Sequence, residues 1–253
     1  MNDTKEVSTP GIIPILLESR LMFEFITSLI LRPYTDYQIG DGHPVIVFPG
    51  YGYGDFSTIY LRSLLKSLGY QVIPWGLGIN KGPEPGVVEK CIQLINTTYQ
   101  QTGRKVSLVG HSLGGVFARE LSKLCPDETR LVITLGTPFS DITECTKATA
   151  LFNLVSKESG RHEQYYPHNT PPVPTTSVYS KTDGVVPWVS SQEKESSQSE
   201  NIEIFSSHLG MVLNISALKI VTDRLAQLEN AWSKYEKNPS ILEKLFLGQG
   251  IWC

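Results

Sequence analysis

A chain of 253 residues is long enough for one large α/β domain, or two small ones, with a substantial core. Hydrophobic residues at 40% and charged residues at 19% exclude a disordered chain. The net charge of −3, without any run of Lys and Arg, leaves no electrostatic footprint for nucleic acid, and no such partner is expected.

The first residues, MNDTKEVSTPG, lack the basic start of a secretory signal. Residues 12–31, IIPILLESRLMFEFITSLIL, are apolar but interrupted by Glu18, Arg20 and Glu24, too charged for a membrane span. They read as an amphipathic helix packed on the domain, with peripheral contact to a membrane surface as the alternative. HPVIVFPG (43–50) reads as a strand. STIYLRSLLKSLG (57–69) follows as a helix, with Ser57 as N-cap and Gly69 past its end.

YQVIPW (70–75) is a second strand, and GLGINKGPEPG (76–86) a turn-rich connection. Residues 87–103 are helical, KVSLVG (105–110) is a strand, residues 113–125 are a helix stopped by Pro126, and RLVITLG (130–136) is a strand. TTSVYS (175–180) and NIEIFS (201–206) are strand-like, SSQEKESSQSE (190–200) reads as a polar surface loop, and residues 211–232 as a long closing helix. Continuous apolar strands alternating with helices predict an α/β fold, a mainly parallel sheet covered on both faces. One excursion breaks the alternation: residues 139–174 suit a lid or cap. The expected organisation is one domain over 1–253, with the N-terminal helix within 1–35.

The chemistry gathers at strand ends. Gly110-His111-Ser112-Leu113-Gly114 is G-x-S-x-G between a predicted strand and a predicted helix, the context of a nucleophile elbow, against the blander reading of a glycine turn. A serine needs a base. Of five histidines, His43 precedes the first sheet strand, His111 lies inside the elbow, and His162 and His168 fall in the excursion. His208 follows the last strand and is the candidate base. Asp183, in YSKTDGVVP, is the candidate acid that orients it; Asp141 and Glu144 compete for that role. The expected oxyanion donors are the backbone N–H groups of Leu113 and of Tyr51, in the loop PGYGYGDFS (49–57). Cys91, Cys125, Cys145 and Cys253 form no close pair and read as free thiols of a reducing compartment, so a cytoplasmic location is expected; disulfides remain the alternative.

From about residue 43 to 230 the chain resembles the α/β-hydrolase superfamily of lipases and esterases, in particular bacterial lipase-like members, through GHSLGG, GTPF, the DGVV acid loop and SHLGM. It departs from many lipases in carrying Pro49-Gly50 where they have His-Gly. The resemblance implies cleavage of a small-molecule or lipid acyl ester through an acyl-serine, without metal or organic cofactor, with Ser112, Asp183 and His208 as the triad. An acyl-thioesterase or an acyltransferase using the same triad is the alternative. Apolar substrate contacts are expected from Phe139, Leu151, Phe152, Tyr165 and Tyr166, between the loop 76–86 and the excursion.

Overall fold

Strand β1 (Pro44–Phe48) is PVIVF, buried at every position. A strand with no polar face must be covered on both sides, and the clusters around it show this. Ile46 and Phe48 pack into one apolar cluster, Val45 and Val47 into another. The structure is a computed structural model that describes residues 18–140 and 169–236. With β2 (Gln71–Pro74), β3 (Val106–His111), β4 (Thr129–Leu135), β5 (Thr175–Tyr179) and β6 (Ser199–Glu203), β1 forms a sheet in the order β2-β1-β3-β4-β5-β6. Every neighbouring pair is parallel. Pro74 is tolerated because β2 is an edge strand.

Helices α3 (Val87–Thr102) and α4 (Leu113–Leu124) cover one face through Val88, Cys91, Ile95, Val116, Phe117 and Leu121. Helices α2 (Ile59–Ser67) and α5 (Ile215–Ala226) cover the other through Leu61, Leu64, Leu65, Leu218, Val221 and Leu225. The strand order reverses between β1 and β3, so the loops leaving their carboxyl ends diverge and open a crevice there. At the end of α2 the Gly69 N–H reaches Lys66 O and the Tyr70 N–H reaches Leu65 O; Gly69, at φ 95°, supplies the left-handed residue this stop requires.

Four expectations are corrected. Ser57 is not an N-cap. A 3₁₀ turn over Asp55–Thr58 precedes α2, and Ser57 Oγ donates to Gly54 O. The Asp55 carboxylate, taking the N–H groups of Trp75 and Gly76, ties that turn to the end of β2. The closing helix is shorter than 211–232: Asn214 Oδ1 caps α5 at the Ser216 and Ala217 N–H groups, and Arg130 takes the carbonyl of Gln227 just past its end. Residues 190–200 are a polar surface loop only in the middle: residues 194–198 are exposed, while Ser190, Ser191, Glu193, Ser199 and Glu200 are buried and the last two belong to β6. Hydroxyl and carboxylate partners inside the protein stand in for water there: Ser199 Oγ donates to Lys194 O and Glu193 Oε1 accepts from Thr170 Oγ1.

The fourth concerns the N-terminal helix, α1 (Leu21–Leu31), reached through a 3₁₀ turn over Glu18–Arg20. It packs against the domain, but inside out. Glu24, Ser28 and Leu31 face inward, while Met22 (64% exposed), Phe23 (69%) and Ile30 (61%) face outward. Hydrophobic periodicity cannot find this orientation, because Glu24 and Ser28 on the inward face meet hydrogen-bonding groups, beside the apolar contacts of Leu31 and of Phe25 edge-on to Tyr60. Among the described residues no helix is long and apolar enough to cross a membrane.

Candidate active site

Strand β3 delivers the chain to His111, and α4 begins at Leu113; Ser112 alone makes the corner, at φ 52°. A non-glycine residue with positive φ is held there by its surroundings. The Ser112 N–H donates to Leu135 O at 2.8 Å, and the Gly115 N–H to Ser112 O at 2.9 Å. A Cβ at Gly110 would overlap the backbone of Gly114, and one at Gly114 would overlap Phe48 and Pro49. The glycines of the motif are therefore dictated by close backbone approach. Between residues 106 and 122 every residue is buried except Ser112.

Asp183 follows β5 and His208 follows β6, both at the carboxyl edge of the sheet. His208 Nδ1 lies 2.7 Å from Asp183 Oδ2. The other carboxylate oxygen, Oδ1, accepts the N–H groups of Val185 at 2.8 Å and Val186 at 2.7 Å, which fixes the plane of the acid. A carboxylate only accepts, so Nδ1 of His208 carries the proton and Nε2 is left as the basic nitrogen. Gly136, at φ 55°, passes beneath this pair; a Cβ there would stand 3.1 Å from Asp183 Oδ2 and 3.2 Å from His208 Nδ1.

His111 bonds outside the elbow, a role the sequence did not reveal. Its Nε2 lies 2.9 Å from the His208 carbonyl, and the two rings are 4.9 Å apart. Burial pushes its pKa down to about 3, so the ring is neutral and Nε2–H donates to that carbonyl. The residue before the serine thus ties the elbow to the loop bearing His208. Asn80 is a second unanticipated residue. Fully buried, it donates from Nδ2 to Pro49 O at 2.8 Å, accepts the Gly82 N–H through Oδ1, and exchanges backbone bonds with Gly52 and Tyr53. It clasps the loop after β1 to the loop after β2. A Cβ on Gly50 would stand 3.2 Å from His111 Nδ1 and 3.3 Å from Ser112 Cβ, so this loop lies directly against the elbow. Tyr51 comes next, partly exposed, and Leu113 opens α4, where helix N–H groups have no partner of their own within the helix.

Phe139 does not line an open pocket. It is 1% exposed, packed in the core, with the Arg119 guanidinium 3.7 Å above its ring. Leu151, Phe152, Tyr165, Tyr166, His162, His168, Asp141, Glu144, Cys145, Cys253 and most of the 139–174 excursion lie outside the described residues. His43 belongs to a different Ser-His-Asp set: its Nδ1 is 2.5 Å from Asp41 Oδ1 and its Nε2 2.7 Å from Ser107 Oγ. That set lies at the amino edge of the sheet with His43 and Ser107 fully buried, so substrate has no access to it. Burial, aided by Arg130, pushes His43 down to about 4.

A parallel sheet whose β3–α4 corner carries a serine, with an Asp–His pair on the following strand ends, is the α/β-hydrolase fold. Solved structures agree. Aspergillus fumigatus lipase B superposes with a TM-score of 0.57 at 18% identity, over 78% of this chain and 56% of that one. The Paleococcus ferrophilus monoacylglycerol lipase gives 0.53 at 16%, over 75% and 96%. A structure of metagenome-derived lipolytic enzymes, LipS and LipT, gives 0.53 at 12%, over 75% and 94%. This chain therefore spans little more than half the length of the first. Comparison with curated proteins by sequence returns no match. The family of PGAP1-like alpha/beta domains matches residues 85–232, more than half of the chain, and the chain belongs to it.

Proposed function

We propose that this protein is a serine carboxylic-ester hydrolase, a lipase or esterase, in which Ser112 is the nucleophile, His208 the general base and Asp183 the orienting acid. The observation that carries the reading is the 2.7 Å Asp183–His208 hydrogen bond at the sheet edge that also exposes the strained Ser112 corner. In this reading His208 Nε2 takes the Ser112 proton as Oγ attacks the ester carbonyl. The Tyr51 and Leu113 N–H groups receive the oxyanion. Collapse expels the alcohol, which takes the proton back from His208, and water then releases the acid by the same steps. The proposal treats the chain as one cytoplasmic domain, with the excursion as a lid; the free, buried thiols of Cys91 and Cys125 are compatible with that compartment.

The test is labelling by a fluorophosphonate, followed by turnover of matched oxygen esters and thioesters from short to long acyl chains. Labelling at Ser112 with preferential oxygen-ester turnover is expected. Preference for the thioester would move the activity to the acyl-thioesterase alternative, and release of acyl product only with an added alcohol acceptor would move it to acyltransferase.

The outward row of α1 supports a second element of the proposal, peripheral contact with lipid. Met22, Phe23, Ile26, Leu29 and Ile30 are all exposed, and this row itself carries no charge. Wild type is expected to float with phosphatidylcholine vesicles independently of salt, and the double substitution Phe23→Glu, Ile26→Glu to lower partitioning by at least about tenfold. Unchanged flotation, or a concentration-dependent dimer abolished by the same substitutions, would refute lipid contact.

A further inference from the structure

We infer that Glu18 and Glu24, far upstream of the site in sequence, are positioning residues that hold the Asp183 and His208 loops in mutual register. The inference rests on the assignment of those two residues as acid and base. Glu18 Oε1 accepts two N–H groups, from Gly184 at 2.8 Å and from His208 itself at 2.7 Å, so one oxygen bridges the acid loop and the base loop. Its other oxygen is 3.4 Å from the Leu209 N–H. Glu24 completes the base side: Oε1 accepts the Ser207 N–H at 2.8 Å and Oε2 the Ser207 hydroxyl at 2.6 Å. The Ser207 oxygen in turn receives the Gly210 N–H at 3.1 Å. A Cβ at Gly210 would overlap Glu24 Oε2, so the glycine in SHLG is dictated by a carboxylate 186 positions earlier (210 − 24).

Arg20 joins the Glu24 carboxylate to the acid loop. It donates from Nη2 to Thr182 Oγ1 at 2.6 Å and Thr182 O at 3.1 Å, and from Nε to Glu24 Oε1 at 3.3 Å. Its guanidinium lies 4.2 Å above the Phe205 ring. Loops after strand ends are ordinarily the adaptable part of such a sheet. Here the N–H groups of residues 184, 207 and 208 are held by two carboxylates on a separate segment, and charge-assisted bonds of this length are the stronger kind. The charges that interrupt the apolar N-terminal stretch are therefore part of the catalytic scaffold, which also places the outward apolar row of α1 on the element that aligns the site.

The test uses the full chain with Glu18→Ala, Glu18→Asp and Glu18→Gln. Turnover of a soluble short-chain ester is read alongside the downfield Nδ1 proton of His208 by NMR and the thermal midpoint. Glu18→Ala is expected to lose about 30- to 100-fold in kcat with KM little changed, and its downfield proton to broaden into exchange. Glu18→Asp keeps the charge but falls one methylene short of the two loops, and is expected to lose about tenfold in kcat while staying folded. Glu18→Gln keeps an oxygen facing Gly184 and His208 and should recover most of the loss. A sharp wild-type proton signal and wild-type kcat in folded Glu18→Ala or Glu18→Asp would overturn the inference, as would equal losses in Ala and Gln that track the thermal midpoint alone. The proton signal is independent of turnover. A wild type that shows it, loses it in Glu18→Ala, and hydrolyses no ester would sustain the positioning role while failing the hydrolase assignment.

Discussion

Ser112→Ala is expected to lower kcat on any ester substrate by roughly 10⁵-fold or more, about 7 kcal/mol of transition-state stabilisation, without unfolding the protein. The magnitude follows from the role. In the proposed mechanism, removing Oγ abolishes the acyl-enzyme, and the proposed oxyanion donors and His208 base have nothing to act through; only their residual effect on water attack remains. The fold should persist because what Ser112 contributes to the elbow is backbone. Its N–H reaches Leu135 O and its carbonyl receives the Gly115 N–H, and alanine keeps both. Alanine also brings the same Cβ to φ 52°, so it adds no strain at the corner. Steady-state kinetics and circular dichroism on one preparation check both halves. Turnover within a few-fold of wild type would remove Ser112 as nucleophile.

Much of this architecture is legible in the sequence, for physical reasons that also mark where legibility stops. β1, β3 and β4 are buried on both faces, so β1 appears as an unbroken apolar run and β3 and β4 as largely apolar ones, broken by Ser107 and Thr134, bounded by turns. The elbow is legible because backbone crowding at Gly110 and Gly114 forces glycine at fixed offsets from Ser112. Asp183 and His208 are legible as candidates because each lies in the loop after a strand of a parallel sheet, where such sheets place their sites, and the structure brings the two side chains together. The inverted orientation of α1 is not legible, since an apolar stretch with three charges gives no sign that the charges turn inward to Thr182, Gly184 and Ser207. Nor is the role of His111 or Asn80, whose partners lie on other loops. Local periodicity reports which face meets a core, and fails where the contact is polar and distant in sequence. The same limit explains the flanks of residues 190–200: the exposed middle at 194–198 is a polar loop, while the hydroxyls and carboxylates of Glu193, Ser199 and Glu200 on either side are satisfied inside the protein.

Glu193, on the buried flank of that stretch, carries the second large effect. Glu193→Ala is expected to destabilise the protein by about 3–5 kcal/mol, because it leaves a fully buried guanidinium without its counter-charge. Arg119 lies on α4, the helix that starts just after Ser112, and neither it nor Glu193 has side-chain exposure to solvent. Its Nη1 pairs with Glu193 Oε2, its Nη2 donates to Asn169 O at 3.3 Å, and its face covers the Phe139 ring. Glu193 Oε1 accepts from Thr170 Oγ1 at 2.9 Å. Phe139 and Ser140 donate their N–H groups to Ser190 O, so both flanks of the excursion are anchored around this one ion pair. At roughly 2–4 °C per kcal/mol for a chain of this size, the thermal midpoint should fall by about 10 °C. The double substitution Arg119→Met, Glu193→Leu removes both charges and is expected to be more stable than Glu193→Ala, since two desolvation costs vanish with the attraction that offset them. A thermal melt of the two variants beside wild type decides it. If Glu193→Ala melts within a degree or two of wild type, water reaches the guanidinium and the pair is not the anchor of the excursion.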